Sequence, residues 1–265
     1  MNIKAIVGSL VIGLYLATSC TTNPITGRSQ ISLIPSSQLM SSSFQGYKET
    51  LKNSKLSTNQ TDVNRIKTIG KRIQKSVEEY YATNNMSDKL AGFEWEFNLI
   101  EDPSVNAWCM PGGKVAFYTG ILPICKTDAG IAVVMGHEIA HAVANHSGER
   151  ASTGLIKEFG LGLASAAVQN NPTMTNQILL QAAGAGSELG LLKFSRSHES
   201  ESDHMGLIFM AMAGYNPEEA PRFWERMAAA GGQAPPEFLS THPSSSTRIK
   251  QLNKWMSEAQ TYYKK

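Results

Sequence analysis

Apolar residues recur every three or four positions between Asp62 and Tyr81, at Val63, Ile66, Ile69, Ile73 and Val77. This is the period of one helix face, so the pattern predicts an amphipathic helix. The run from Thr127 to Asn145 is rich in Ala, Val, Ile and Met and contains no proline, which predicts a second helix. Two more helices are expected beyond Asn216-Pro217, the last from about Ser244 to Tyr262.

Three short segments between these helices have the patterns of β-strands, at Phe93–Ile100, Val105–Met110 and Lys114–Tyr118. The last two are joined through Pro111-Gly112-Gly113. This order predicts a small antiparallel sheet packed beside the helix around residue 137. The predicted fold class is therefore α+β and mostly helical, with a C-terminal helical part.

Length and composition fit one folded domain, predicted at residues 56–265. The chain has 265 residues, of which 42% are hydrophobic, enough to bury a substantial core. Residues 20–55 are polar and Ser-rich and are interpreted as a lipidated N-terminus followed by a spacer. The formal charge is +2 without a basic cluster, which argues against nucleic-acid binding.

Residues 1–19 have the pattern of a signal peptide. Lys4 precedes an apolar run from Ala5 to Ala17, and Ala17-Thr18-Ser19-Cys20 resembles the cleavage site of a bacterial lipoprotein. Cys20 would then carry the lipid that attaches the protein to a membrane. An uncleaved membrane anchor is the alternative. Thr21 stands where aspartate favours retention at the inner membrane, so the expected location is the periplasmic side of the bacterial outer membrane.

The strongest chemical signal is His137-Glu138-Ile139-Ala140-His141. Histidines four residues apart project from the same helix face, so both imidazoles can reach one metal ion. Glu138 lies where it can take a proton from the attacking water. The alternative is two ordinary core or surface histidines.

A third ligand is available in the stretch from Ser195 to Gly206. Its carboxylates Glu199 and Asp203 are four residues apart, hence on one face of a helix. Glu199 could complete a His-His-Glu set. Asp203 could accept the second ring hydrogen of a liganding histidine and so fix its tautomer. An exposed acidic run at a helix start is the alternative.

Two further motifs lie on either side of these helices: Asn106-Ala107-Trp108-Cys109-Met110-Pro111-Gly112-Gly113-Lys114-Val115, and Thr241-His242-Pro243-Ser244 followed by Arg248. With the HExxH helix and the Ser195–Asp203 stretch, in this order, the chain resembles the HtpX and type I CAAX prenyl protease family of gluzincin zinc metallopeptidases. The likeness is greatest to its soluble branch of periplasmic lipoproteins and mitochondrial quality-control peptidases.

The resemblance implies a gluzincin-like domain that holds one Zn²⁺ through His137, His141 and Glu199. It implies a metalloendopeptidase that cleaves misfolded or misassembled cell-envelope proteins without a strong sequence rule, with unfolded or misassembled envelope polypeptides as its partners. It also implies that the strand around Asn106 and Ala107 pairs with substrate as an added strand, with a plain core strand as the alternative. A zinc-stabilised chaperone or assembly factor for outer-membrane proteins, with latent proteolysis, is the competing hypothesis. The sequence leaves the oligomeric state open.

The same resemblance puts His242 near the metal. Its imidazole would either stabilise the developing oxyanion or occupy the fourth metal position as a removable plug; a simple loop histidine is the alternative. Arg248 would brace this loop or pair with an active-site carboxylate. The remaining histidines, His146, His198 and His204, are not expected to be ligands.

Two features stay open. Cys109 and Cys125 flank the strand before the zinc helix and form either a disulfide or two buried thiols. Residues 151–190 are rich in small residues and predict two helices around Asn170-Asn171-Pro172, as a flap over the cleft or as stable packing.

Overall fold

The computed structural model describes residues 20–23, 25–160, 195–230, 237–242 and 246–264. The strands are β1 (Cys20–Thr22), β2 (Ser29–Ile31), β3 (Glu96–Ile100), β4 (Ala107–Met110) and β5 (Lys114–Tyr118). The helices are α1 (Ser36–Lys52), α2 (Gln60–Thr83), α3 (Leu122–Cys125), α4 (Asp128–Val143), α5 (His146–Phe159), α6 (Arg196–Met212), α7 (Glu219–Ala229), α8 (Glu237–Thr241) and α9 (Ser246–Tyr262). Short 3₁₀ turns lie at Ser87–Leu90 and Thr119–Ile121.

The mostly helical α+β class is confirmed, but the three-stranded sheet is mixed rather than antiparallel throughout. Its strand order is β3-β5-β4, with β4 antiparallel and β3 parallel to β5. Gly112 and Gly113 have φ angles of 84° and 86°, which allow the tight turn between β4 and β5. The chain reverses direction after β3 and again at this turn, so β3 and β5 run the same way.

Helix α4 lies at the centre of the core, and every residue from Gly130 to Ala142 is buried. Thr127 caps its start by accepting a hydrogen bond from the backbone N–H of Gly130 at 3.1 Å. Gly136 faces Gly206 of α6 so closely that an added Cβ would lie 2.8 Å from the Gly206 carbonyl oxygen. The absence of side chains at this crossing lets the two helices approach each other, which brings their functional residues together.

The segment predicted as a spacer contains helix α1, which packs on the sheet. Its inward face consists mainly of small and polar residues: Leu39, Ser42, Ser43, Gly46 and Tyr47. The hydroxyl of Tyr47 donates to the Val115 carbonyl at 2.8 Å, and the hydroxyl of Ser43 donates to the Pro111 carbonyl at 2.7 Å. The folded domain therefore begins well before residue 56. The pattern of aliphatic residues does not predict α1, because this helix packs through small side chains and hydrogen bonds.

Some predictions fall outside the described residues, namely the signal peptide at 1–19 and the helices expected around Asn170-Asn171-Pro172. Lipid attachment at Cys20 also stays a prediction. Across the described ranges, no single helix has the length and apolarity to cross a membrane; only the sharply bent pair Thr119–Cys125 and Asp128–Val143 passes that test together. Cys109 and Cys125 are both free and buried, in agreement with the two-thiol alternative.

Candidate metal centre

The two histidines of the HExxH motif meet on one face of α4. Both side chains are buried, and their Nε2 atoms lie 3.1 Å apart. Burial lowers the pKa of His141 well below its ordinary value, which keeps the imidazole neutral, the form in which histidine binds metals. The α4 helix therefore presents two ring nitrogens to a single point.

Glu199 reaches the same point from the first turn of α6. The Ser195 side chain caps this helix by accepting a hydrogen bond from the backbone N–H of His198 at 3.2 Å. The Glu199 carboxylate lies 3.4 Å from Nε2 of His141 and 3.6 Å from Nε2 of His137. This geometry brings together the three residues that the sequence analysis assigned to the metal.

His242, which follows α8, lies in the same group. Its Nδ1 atom lies 2.9 Å from Oε1 of Glu199 and 3.2 Å from Nε2 of His137. The imidazole stacks on Phe238, with ring centroids 4.6 Å apart, and both side chains are buried. A ring nitrogen of His242 therefore lies among the possible metal donors of the cluster.

These four side chains fit a zinc ion. One donor atom each from His137, His141, Glu199 and His242 all lie within 4.8 Å of one another. Zinc–nitrogen bonds of about 2.0–2.1 Å in a tetrahedral site place donors about 3.3 Å apart, close to the separations observed here. The Asp203 carboxylate lies 3.0 Å from Nδ1 of His137 and can accept its proton, which leaves the lone pair of Nε2 directed into the cluster.

Glu138 lies beside this cluster without being one of its donors. Its side chain is buried, and its Oε1 atom has no hydrogen-bond partner among the described residues. Nε2 of the His242 ring lies 3.5 Å from that oxygen. Burial raises the pKa of Glu138, and His242 and His137 oppose this rise. A carboxylate with a raised pKa next to a metal site can take up a proton and later release it.

Arg248 of α9 neutralises the acidic side of the centre. Its Nη1 atom donates to Glu199 at 2.6 Å, while Nε and Nη2 donate to the two oxygens of Asp203 at 2.7 and 2.6 Å. The guanidinium also lies over the Trp224 ring, 3.6 Å from its centroid. Burial alone would raise the pKa of Glu199, but His242 and Arg248 outweigh this effect and hold the pKa well below its usual value.

The remaining histidines have different surroundings. His204 lies away from the cluster, where it pairs with Glu258 at 2.7 Å and stacks on Trp255. His146 and His198 are buried and stack on each other with ring centroids 4.4 Å apart. The sequence does not reveal that His146 contacts His141, nor that the Trp224 ring packs against the Arg248 guanidinium. Both contacts join residues on different helices, and a single sequence carries no signal for them.

Comparison with known proteins identifies the family. Residues 69–256 match the model of peptidase family M48. The chain belongs to this family. This is a family of zinc-dependent metallopeptidases, as the sequence predicted, and the His-His-Glu-His group fits one metal ion.

Several named relatives of this M48 chain are mitochondrial. The mitochondrial metalloendopeptidases OMA1 of Schizosaccharomyces pombe and Saccharomyces cerevisiae are 39% and 40% identical, each over 71% of this chain. The matches cover 53% and 55% of those proteins, so the chain spans about half the length of the relatives it matches. The β-barrel assembly-enhancing protease of Escherichia coli is 28% identical over 58% of this chain and 33% of its own length.

These relatives correct one expectation and leave another open. The predicted bacterial outer-membrane location is wrong by this comparison, because OMA1 relatives from fungi and from Arabidopsis thaliana are mitochondrial proteins. The predicted location depended on a short segment with one positive charge followed by an apolar run. This pattern does not by itself distinguish between compartments. The M48 family is established, whereas a closer relation to HtpX and the CAAX prenyl proteases stays a prediction.

Proposed function

We propose that this M48 peptidase cleaves unfolded or misassembled polypeptides, which it binds as extended segments. One observation carries the proposal: His137, His141 and Glu199 converge on one point, with the buried carboxylate of Glu138 beside it. This is the minimum set for metal-assisted peptide hydrolysis, three ligands and a general base. The name of the Escherichia coli relative, a β-barrel assembly-enhancing protease, supports a substrate class tied to β-barrel assembly.

His137, His141 and Glu199 would hold the zinc ion, which when bound supplies Lewis-acid polarisation of the scissile carbonyl and acidifies water. Asp203 holds the ring of His137 in one tautomer. Glu138 takes a proton from the attacking water at its Oε1 atom and passes it to the departing amine. The raised pKa of Glu138 serves the first step, because a carboxylate with a higher pKa is a stronger base.

Substrate backbone would pair with strand β4. In the sheet that the described residues form, β4 is an outer strand, bonded to β5 on one side. It also packs against α4, the helix that carries Glu138. An extended peptide added to this edge would bind through main-chain hydrogen bonds, which recognise extended backbone more than side-chain identity. This accounts for cleavage of unfolded chains with a loose sequence preference.

The test is digestion of casein and of an unfolded porin by the full chain, with and without a metal chelator. We expect cleavage that the chelator removes and that added zinc restores. A Glu138→Gln variant serves as the matched control, because it keeps the size and polarity of the side chain and removes the base. Cleavage that persists in the chelated enzyme or in this variant would refute the proposed mechanism.

A second candidate function rests on the position of His242. Because its Nδ1 atom lies among the donors of the cluster, it can occupy the position that the attacking water needs. A peptidase closed in this way would act mainly as a zinc-stabilised chaperone or assembly factor until the ring moves. Rescue of membrane-protein assembly by the Glu138→Gln variant in a cell that lacks the wild-type gene would favour this role; failure of that variant would favour proteolysis.

A further inference from the structure

A chain of contacts begins at His141, on the ring nitrogen that does not face the metal cluster. Nδ1 of His146 lies 2.9 Å from Nδ1 of His141, and Nε2 of His146 lies 2.7 Å from Oε2 of Glu201. All three side chains are buried. His146 belongs to α5 and Glu201 to α6, so the contacts tie two helices to a residue that faces the metal.

The Glu201 carboxylate determines the direction of each hydrogen bond in this chain of contacts. An ionised carboxylate can only accept, so Nε2–H of His146 donates to Glu201. The other ring nitrogen of neutral His146 is then an acceptor and receives the proton of Nδ1 of His141. This leaves the Nε2 lone pair of His141 directed at His137 and Glu199. The hydroxyl of Ser202, 3.3 Å from Nδ1 of His146, can donate to the same acceptor.

Glu201 is itself held by the N-terminal segment. Nε of Arg28 donates to Oε2 of Glu201 at 2.8 Å, and the hydroxyl of Thr26 donates to Oε1. The same guanidinium binds both oxygens of Glu149, at 2.9 and 2.8 Å. Thr26 and Arg28 lie between β1 and β2, in the segment that the sequence analysis took for a lipidated spacer.

We propose that His146, Glu201 and Arg28 are positioning residues that fix the tautomer and orientation of His141, so that the N-terminal hairpin forms part of the metal centre. The inference rests on the proposed role of His141 as a zinc ligand. Each helix histidine then has its own partner: Asp203 for His137, and the neutral imidazole of His146 for His141. Support of this kind raises metal affinity because the ligand is already oriented before the ion binds.

The experiment measures the zinc dissociation constant of the full chain by competition with a chromophoric chelator. His146→Phe keeps a flat ring beside His198 but removes the acceptor, so we expect zinc binding to weaken by about 10–100-fold. His146→Asn places an amide oxygen near the lost nitrogen and should restore most of the affinity. The absorption spectrum of the cobalt-substituted protein gives a second readout, which should change in His146→Phe and return towards the wild-type spectrum in His146→Asn.

Glu149 provides the matched control, because it binds Arg28 as Glu201 does but contacts His198 instead of His146. Glu201→Leu and Arg28→Met should weaken zinc binding, and Glu149→Leu should leave it within about threefold of wild type. Equal affinities for all variants, or equal losses in Glu201→Leu and Glu149→Leu, would overturn the positioning role. Failure of the wild-type chain to bind zinc would instead refute the proposed function, so the two failures are distinguishable.

Discussion

Nδ1 of His242 lies 2.9 Å from Oε1 of Glu199, while Nε2 of the same ring lies 3.5 Å from Oε1 of Glu138. One imidazole thus contacts a proposed metal ligand through one nitrogen and the proposed general base through the other. Burial lowers the pKa of this ring, but Glu199 and Glu138 outweigh that effect and raise it above its ordinary value. The His242 ring therefore lies between the carboxylates of Glu199 and Glu138, which both take part in the proposed hydrolysis.

Removal of this ring should activate the enzyme. In His242→Ala the space beside Glu138 opens to water, so we expect basal cleavage of casein to increase several-fold. His204→Ala is the control, because His204 pairs with Glu258 away from the cluster and its loss should leave the rate unchanged. A lower rate in His242→Ala would mean that the imidazole stabilises the transition state instead of closing the site.

Replacement of Glu138 by glutamine should separate chemistry from folding. The amide keeps the side-chain volume but cannot take up the water's proton, and general-base catalysis contributes about 10²–10⁴-fold to such reactions. We expect cleavage to fall by at least about 100-fold while zinc content and circular dichroism stay those of wild type. A variant that loses zinc as well would show that Glu138 also supports the metal.

Arg248 should be far more important for stability than a surface arginine. Replacement by leucine leaves Glu199 and Asp203 buried without their cation, which typically costs about 3–5 kcal/mol. Arg222→Leu is the control, since Arg222 forms an exposed pair with Glu218 at 3.4 Å and such pairs contribute about 0–1 kcal/mol. Urea unfolding of the metal-free proteins measures both effects, and similar losses would contradict the buried-pair account.

Glu149 should make part of the stability depend on pH in the acid range. Burial opposes its ionisation, but His198 and Arg28 prevail and lower its pKa from 4.5 to about 2. Below pH 4.5 the unfolded chain binds a proton that the folded chain does not, so this contribution is present above pH 4.5 and is lost as pH falls towards 2. Thermal unfolding of the metal-free protein between pH 6 and 3 should show a shallower decline in Glu149→Gln. Parallel curves would refute the assignment.

Zinc should stabilise the folded chain through the same donors. A ligand that binds only the folded state contributes about 2.7 kcal/mol at one hundred times its dissociation constant. We expect zinc to raise the melting temperature of wild type, whereas His141→Ala should lose most of this increase. His204→Ala again serves as a control, and an equal increase in both variants would place the binding site elsewhere.

The local parts of the site could be predicted from the sequence, and the parts that depend on packing could not. His137 and His141 share a helix face by their spacing alone, and the structure brings them together. The assignment of Glu199 as a ligand depended on the resemblance to a family. Spacing indicates which face of α6 carries Glu199, but it does not show that this face packs against α4. The contact of Arg28 with Glu201 joins positions 173 residues apart, and nothing in either segment reveals it.

The fold shows the same division. Helix α2 was predicted because four of its buried residues are aliphatic and repeat with a helical period: Ile66, Ile69, Ile73 and Val77. Helix α1 was missed although its buried positions also repeat with a helical period, because Ser and Gly occupy three of them. The parallel pairing of β3 with β5 was missed because strand order along the chain does not determine which strand lies in the middle of a sheet.

The close contact between Gly136 of α4 and Gly206 of α6 sets the distance between the helix that carries His137 and His141 and the helix that carries Glu199. A methyl group at either position would push the helices apart. The imidazoles of His137 and His141 would then move away from the Glu199 carboxylate, although no ligand is changed. We therefore expect metal affinity to depend partly on two residues that have no side-chain functional group.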